Sequence, residues 1–355
     1  MEFIADYGLF LAKTVTVVAA VGIIAALIAA LGQRHKGESE GHIEVRRLNE
    51  RYTSLVEAVH EATLDPAYRK SVRKDDKKKR KQESKAKSKE AKKQLKTQGE
   101  LETSRPRLFV LDFHGDLRAS AVEQLREEVS VLLAELKGED EVLLRLESAG
   151  GMVHSYGLAA SQLHRIRQHG NDLTISVDTV AASGGYMMAC VGQKIIAAPF
   201  AVIGSIGVLA QLPNFHRLLK KNEIDFELFT AGEYKRTLTL FGENTDKGRE
   251  KFREELEDTH TLFKDFVRDN RPKVDIDSVA TGEVWYGQRA LDVSLVDELE
   301  TSDAYIQDKL QSHDAFEIKY VPHKNWQQKL GLAAEGTIER GLNRLWETLS
   351  SRPHP

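Results

Sequence analysis

Two glycine-rich turns hold the residue types that could perform chemistry. The first spans 147–152 (ESAGGM) and the second spans 179–186 (TVAASGGY). Each follows a short apolar segment, and open parallel sheets bind ligands at the carboxyl ends of such strands. An apolar run that suits a helix follows the second turn, so Ser183 would stand at a helix N-terminus. Free backbone N–H groups and the positive end of the helix dipole favour a developing oxyanion there, which makes Ser183 a candidate nucleophile.

A structural role competes with this interpretation of Ser183. The Ala-x-Ser-x-Gly pattern is only a relaxed version of the Gly-x-Ser-x-Gly nucleophile turn, and serine is a common N-cap residue. The neighbours Ala181, Ala182, Gly184 and Gly185 are all small, so a substrate backbone could approach closely, as a nucleophile requires and a surface serine does not. The motif alone leaves both roles open.

A nucleophilic serine needs a base that accepts its proton. His114 and His154 lie near the turns, and Asp112 or Asp178 could orient one of them in a Ser-His-Asp arrangement. Neither turn resembles a known context of such a triad, and a lone histidine is more often a structural or surface residue. Histidine is therefore one option for the base, with only proximity in its favour.

Lysine is the other option for the base. A lysine can accept a proton only when burial lowers its pKa enough to leave the amine unprotonated. Most lysines of this chain lie in charged runs, but Lys235 follows an apolar segment directly, within 230–239 (TAGEYKRTLT). Glu233 and Arg236 flank it and make burial less obvious. On residue types alone, an ordinary surface lysine remains the alternative.

The elements that would position these residues follow an alternating pattern. Short apolar segments alternate with helical patterns from residue 108 onward, which predicts an α/β fold with a mostly parallel sheet covered by helices. The strand candidates are 108–113, 142–146, 173–177, 194–197 and 226–229. The helix candidates are 121–136, 157–168 and a long helix that begins after Asp246, ends before Pro272 and has a core stripe of Phe252, Leu256, Thr259, Phe263 and Phe266.

The composition, 41% hydrophobic and 30% charged, is that of a globular protein. A formal net charge of -3 conceals a basic tract at 69–96, where fifteen lysines or arginines stand against four acidic residues. Since no basic patch falls on the folded part, we expect no nucleic-acid partner. The one cysteine, Cys190, excludes an intrachain disulfide and a cysteine-only zinc site.

The N-terminal region predicts a membrane anchor. The uncharged stretch 14–31 (TVTVVAAVGIIAALIAAL), extended by the residues from Leu9, is long enough to cross about 30 Å of hydrocarbon as one helix. The stretch is longer than the apolar core of a cleaved signal peptide and lacks a basic cluster before it. Basic residues follow it, so the positive-inside rule places the C-terminal side in the cytoplasm. We expect the anchor to end near residue 33.

Two further regions flank the predicted enzyme domain, which we place at 105–310. Region 34–104 combines a helical apolar stripe with a lysine-rich tract at 70–98. This pattern predicts a charged helical linker that could also bind anionic lipid. Region 311–355 is a C-terminal tail with an amphipathic helix at 338–349. That helix could pack on its own domain, on another subunit or on lipid.

Four ordered motifs resemble the signal peptide peptidase A family of serine peptidases, most closely its SohB-like branch. The resemblance covers about 108–299, and its motifs are DTVAASGGY at 178–186, GSIGV at 204–208, AGEYKRTLTLFGEN at 231–244 and GEVWYGQRALD at 282–292. The first glycine turn departs from the family, because it reads Glu-Ser-Ala-Gly-Gly where members more often have Ser-Pro-Gly-Gly. The missing proline loosens the turn without removing its N–H donors.

The resemblance implies a Ser-Lys dyad of Ser183 and Lys235 in a sheet-and-helix fold shared with Clp protease and crotonase. It also implies an oxyanion hole from the backbone N–H groups of Gly151 and Gly184, and a hydroxyl of Ser205 that orients the lysine amine. No cofactor or metal is implied. Family members form rings, and in single-domain members the serine and lysine can come from neighbouring subunits, so we expect a homo-oligomer.

These observations predict an endopeptidase of the bacterial inner membrane that hydrolyses peptides or unfolded segments, cleaved signal peptides among them. Family members are often drawn with the catalytic domain outside the cytoplasm, against the charge rule, so its side of the membrane stays open. Two other classes keep the same fold: a crotonase-like acyl-CoA enzyme, which needs no nucleophile, and an inactive membrane scaffold. The combination of Ser183 and Lys235 in matched motifs argues against both.

Overall fold

A computed structural model describes residues 41–65 and 105–322, together with the single residues 78, 82 and 85. The predicted membrane helix at 14–31, nearly all of the lysine-rich tract and the amphipathic segment at 338–349 lie outside these residues. The chain divides into two compact units, Glu44–Lys319 and a second one of Met1–Ile43 with Tyr320–Pro355. Among the helices of the described residues, none is long and apolar enough to cross a membrane.

A ten-stranded sheet forms the centre of the fold. Its strands are β1 His42–Arg47, β2 Arg107–Gly115, β3 Glu141–Ser148, β4 Asp172–Val177, β5 Val180–Ala182, β6 Lys194–Ala197, β7 Val202–Gly204, β8 Val284–Tyr286, β9 Glu298–Leu299 and β10 Asp314–Val321. The main part of the sheet has the order β1-β10-β2-β3-β4-β6-β9, and a side branch runs from β3 through β5 and β7 to β8. The β7–β8 pair is antiparallel, whereas the other pairs of the branch and all pairs from β10 to β9 are parallel.

Helices of very different length connect these strands. They are α1 Leu48–Thr63, α2 Val122–Glu135, α3 Val153–His169, α4 Gly184–Ala189, α5 His216–Lys221, α6 Asp246–Asn270, α7 Ile276–Val279, α8 Gly287–Asp292 and α9 Ser302–Lys309. The predicted α/β class is confirmed, and four predicted strands and all three predicted helices form with small shifts at their ends. The strand expected at 226–229 was wrong, since these residues form no strand and Phe226 and Phe229 are exposed.

Apolar spacing explains helix α2, and a glycine cap explains where α3 ends. In α2 the buried residues Val122, Leu125, Val129 and Leu132 recur at intervals of three and four, which places them on one face. Helix α3 ends at Gly170, whose φ of 97° is a left-handed conformation that glycine adopts without steric cost. Helix α2 therefore buries one mainly apolar face, and Glu128 of α2 and Gln162 of α3 are buried as well.

An apolar cluster shows how far the packed unit extends. Leu48 at the start of α1 and Ala315 in β10 belong to the same buried cluster as Leu108 and Leu143 of the central strands. Leu48 is only 2% exposed. Residues on both sides of the expected 105–310 range therefore contribute to the core of the unit that carries the glycine turns.

The long helix α6 is fixed at both ends. The Thr245 side chain caps its start by accepting a hydrogen bond from the Gly248 amide. At its end, the buried guanidinium of Arg271 donates to both carboxylate oxygens of Asp297, at 2.8 and 2.9 Å. Burial alone would raise the pKa of Asp297, but the hydrogen bonds from Arg271 and from the Ile195 amide hold the pKa below its usual value. This ion pair holds the C-terminal half of α6 against the sheet.

One segment, 208–245, carries most of its apolar side chains on the surface, and we call it the exposed segment. Its own packing is limited to small clusters such as the ring of Phe241 with those of Phe215 and Phe226, at centroid distances of 6.0 and 5.7 Å. Its exposed large apolar residues are Leu209, Leu212, Phe215, Leu218, Ile224, Phe226, Leu228, Phe229, Tyr234 and Phe241. Such a surface is typical of an interaction site.

Candidate active site

Ser183 occupies a strained turn between β5 and α4. Its φ of 52° and ψ of -119° are unfavourable for a residue with a side chain, and such strain persists where the surroundings enforce it. The Ser183 amide donates to the Gly204 carbonyl at 2.8 Å, and the side chain makes no capping hydrogen bond. Ser183 thus stands at the N-cap position of α4, but its side chain does not cap the helix. A sharp strand-to-helix turn with a free serine hydroxyl is the geometry of a nucleophile.

The first glycine turn lies directly against the Ser183 turn. Gly150 has a φ of 90°, and a Cβ atom at this position would lie 2.7 Å from the Gly184 nitrogen and 2.8 Å from the Ser183 Cβ. Only glycine allows this approach. Within the described residues, the amides of Gly151 and Gly184 have no hydrogen-bond acceptor. Two unused N–H donors thus flank the candidate nucleophile, as an oxyanion hole requires.

A small cavity opens beside Ser183. Its enclosed part, about 10 Å³, has room for about one water molecule. The wall is mostly glycine and apolar side chains, and α6 closes one side of it. The lining residues are Gly151, Val153, Ser183, Gly184, Met187, Gly207, Val208, Thr259 and Phe263. Thr259 and Phe263, which belong to the predicted core stripe of α6, therefore also line this cavity.

Ser205 lies on the strand next to the Ser183 turn. Ala182 of β5 pairs with Gly204 of β7, so Ser205 leaves the neighbouring strand at the same level as Ser183. Its backbone also has a positive φ, 50°, and its amide donates to the Glu283 carbonyl at 2.7 Å. The structure thus brings Ser183, Gly151 and Gly184 together around one cavity and places Ser205 at the end of the neighbouring strand.

The structure does not bring Lys235 to this group within one chain. Lys235 belongs to the exposed segment and its side chain is open to solvent. Its amine has no hydrogen bond or ion pair with any described residue. Its neighbour Glu233 pairs with Lys247 instead, at 2.7 Å, and this hydrogen bond lowers the pKa of Glu233. A second cation, Lys251, lies 5.3 Å from the Tyr234 ring. Within the single chain, Lys235 therefore lacks the burial that a lysine base needs.

The two acids of the histidine alternative have other partners. Asp112 receives two hydrogen bonds from Arg145, and Asp178 accepts from the amide and the hydroxyl of Ser302. His114 is exposed and lies 3.6 Å from Glu147. Neither aspartate is thus placed to orient a histidine toward Ser183.

Sequence reasoning missed two buried hydroxyl groups under the turns. Tyr156 of α3 is fully buried, and its hydroxyl lies 2.5 Å from the hydroxyl of Ser148 at the end of β3. Burial is the main cause that raises the pKa of the Tyr156 phenol. A tyrosine within a helical apolar stripe gives no sequence signal of such a contact, because the contact depends on how the helix packs.

Comparisons with known proteins assign the chain to a family. Residues 2–163 match the family model "Peptidase family S49 N-terminal", and residues 165–315 match "Peptidase family S49". A "Probable protease SohB" of Haemophilus influenzae is 47% identical over 99% of this chain and 98% of its own length. The chain belongs to peptidase family S49. A "Probable protease SohB" of Buchnera aphidicola subsp. Schlechtendalia chinensis is 49% identical over 86% of this chain and 99% of its own.

Membership of family S49 confirms two predictions from the motifs. The resemblance to SohB-like serine peptidases is borne out, and the protein is a serine-type peptidase. Peptides are accordingly its substrate class. The family match says nothing about the roles of individual residues.

Proposed function

We propose that this S49 peptidase is an endopeptidase in which Ser183 is the nucleophile. The strained turn with two unused glycine amides beside it is the observation that supports this role. The Ser183 Oγ attacks the scissile carbonyl carbon while its proton passes to the amine of Lys235. The N–H groups of Gly151 and Gly184 stabilise the resulting oxyanion, the peptide amine leaves with the proton, and water hydrolyses the acyl-enzyme. The fold would belong with Clp protease and crotonase.

The base in this proposal comes from a second copy of the chain. Three observations support an intermolecular dyad: Lys235 is exposed, its amine is unpaired among the described residues, and the exposed segment that carries it presents many apolar side chains. Docking of that segment beside Ser183 of a neighbour would bury the amine and favour its neutral form. The Ser205 hydroxyl would then orient the lysine. The active enzyme is accordingly a homo-oligomer.

The membrane part of the proposal rests on sequence. The stretch 14–31 would form a single-pass anchor in the bacterial inner membrane, and the basic tract at 69–96 would lie near anionic lipid. An anchored peptidase meets peptides and unfolded segments at the membrane, so cleaved signal peptides suit it as substrates.

The narrow cavity beside Ser183 predicts a preference for small apolar side chains at the cleaved bond. We expect Phe263→Ala to enlarge the cavity and to shift the ratio of kcat/KM for a leucine over an alanine substrate by about tenfold toward leucine. Peptides that differ only at that position measure the shift. Phe266→Ala is the matched control, because Phe266 lies on the same helix outside the cavity lining. Equal ratios in both variants would contradict this use of the cavity.

Fluorophosphonate labelling of the full-length protein tests the nucleophile. We expect one labelled serine in the wild type and no label in Ser183→Ala, because only an activated serine attacks phosphorus at a useful rate. A crotonase-like acyl-CoA enzyme or an inactive scaffold would leave the wild type unlabelled. Label that persists in Ser183→Ala would place the nucleophile elsewhere.

A further inference from the structure

A chain of hydrogen bonds, buried at its centre, links the first glycine turn to Tyr156 of α3. The Gly150 amide donates to the Ser148 hydroxyl at 3.0 Å, and the Tyr156 hydroxyl donates to the Asp116 carbonyl at 2.8 Å. Each hydroxyl has one hydrogen, so the 2.5 Å contact between them must be a bond from Ser148 to Tyr156. The chain therefore has one direction: Gly150 to Ser148 to Tyr156 to Asp116.

The ring of Tyr156 supports the other turn. A Cβ atom on Gly184 would lie 2.4 Å from Cγ and 2.7 Å from Cδ2 of this ring, so the Gly184 backbone rests on its face. Glycine is needed on the opposite side as well, because a Cβ atom on Gly115 would lie 2.5 Å from the Tyr156 hydroxyl oxygen. Tyr156 fills the space under both turns.

One side chain thus contacts both sources of the oxyanion-hole donors. The ring of Tyr156 supports the backbone of Gly184 and so fixes the position of its amide. The Tyr156 hydroxyl holds Ser148, and Ser148 in turn fixes the position of Gly150 and of the Gly151 amide that follows. The turns are themselves in van der Waals contact, since Gly150 has no room for a side chain beside Gly184.

We propose that Tyr156 is a positioning residue that fixes the spacing of the Gly151 and Gly184 amides for the oxyanion. This inference rests on the proposed oxyanion hole. Tyr156 does not contact substrate, because it is fully buried and its hydroxyl is used by Ser148 and Asp116. Preorganised donors act mainly on the transition state, so a displaced donor lowers kcat more than it raises KM.

The decisive variant is Tyr156→Phe, which keeps the ring under Gly184 and removes only the hydroxyl. We expect kcat to fall about 10- to 100-fold with KM nearly unchanged, which is less than the loss on deleting an oxyanion donor outright. Ser148→Ala breaks the same chain and should give a similar loss, and the double variant should be no worse than either. A peptide boronate, whose serine adduct places a negative oxygen in the hole, should lose affinity in parallel with kcat.

Tyr186→Phe is the matched control. Tyr186 is also fully buried, and its hydroxyl donates a hydrogen bond of 2.9 Å to the Leu295 carbonyl. Both variants lose one buried hydroxyl and should lower the melting temperature similarly. Only Tyr156→Phe should lower kcat and boronate affinity, since the Tyr186 hydroxyl bonds the Leu295 carbonyl and takes no part in the hydrogen-bond chain to Gly150.

The outcomes separate this inference from the proposed function. Wild-type kcat in Tyr156→Phe, with Ser183→Ala inactive, would overturn the positioning role and leave the nucleophile in place. Equal losses in Tyr156→Phe and Tyr186→Phe would also overturn it, because the effect would then be general destabilisation. Activity that survives in Ser183→Ala would reject Ser183 as the nucleophile, and with it the proposed oxyanion hole beside it.

Discussion

Peptide hydrolysis by the full-length protein should fall about 10⁴- to 10⁶-fold in Ser183→Ala and in Lys235→Ala. The first variant removes the atom that attacks the carbonyl, and the second removes the group that takes the proton. Because the two groups act as one unit, the double variant should be no slower than either single variant. Single-turnover assays with a fluorogenic peptide measure the loss.

Matched controls exist for both positions. Ser161 is an exposed serine of α3, and Lys220 is an exposed lysine of α5 in the same exposed segment as Lys235. Ser161→Ala and Lys220→Ala should keep wild-type activity, and all four variants should keep the wild-type circular dichroism spectrum. Full activity in Lys235→Ala would reject Lys235 as the base, even if Ser183→Ala were inactive.

The part of the site that sequence predicts best is the part set by local geometry. A turn of small residues between an apolar strand and a helix fixes the conformation of Ser183 within a few residues, so the motif at 178–186 predicts that turn. The same holds for the alternating strands and helices from 108 onward. Where a position is set by neighbours along the chain, the pattern carries the information.

The sequence did not predict the contacts that depend on tertiary packing. Tyr156 meets Ser148 only because β2 and β3 pair with Gly115 opposite Ser148, and because α3 packs on that register. No spacing in the sequence encodes this meeting. The core contributions of Leu48 and Ala315 were missed for the same reason, since each lies far along the chain from the strands it packs against.

The wrong strand at 226–229 has a different cause. An apolar run that serves contacts outside its own domain has the same composition as a buried strand, and periodicity cannot separate the two. In the structure Phe229 is 87% exposed, and Leu228 is also exposed. The apolar run at 226–229 therefore indicates that the exposed segment, which also carries Lys235, is a surface that contacts a partner.

Mixed oligomers of the inactive variants Ser183→Ala and Lys235→Ala test whether a neighbouring chain supplies the base. If each site takes Ser183 from one chain and Lys235 from the next, a site between a Lys235→Ala chain and a Ser183→Ala chain contains both intact groups. Random mixing of the two variants in equal amounts should then restore about a quarter of wild-type activity, because a head-to-tail ring repeats one interface. Co-expression with two different affinity tags and sequential purification yields the mixed oligomers.

The control for this recovery is a mixture of Ser183→Ala with the double variant, which offers no chain with an intact Ser183 and should stay inactive. If both groups of a site came from the same chain, every chain in the first mixture would lack one of them, and mixing would restore nothing. Recovery therefore requires that the exposed segment of one chain reach Ser183 of another. Zero recovery in mixed oligomers of wild-type mass would overturn the intermolecular dyad and leave Lys235 to move toward Ser183 within its own chain.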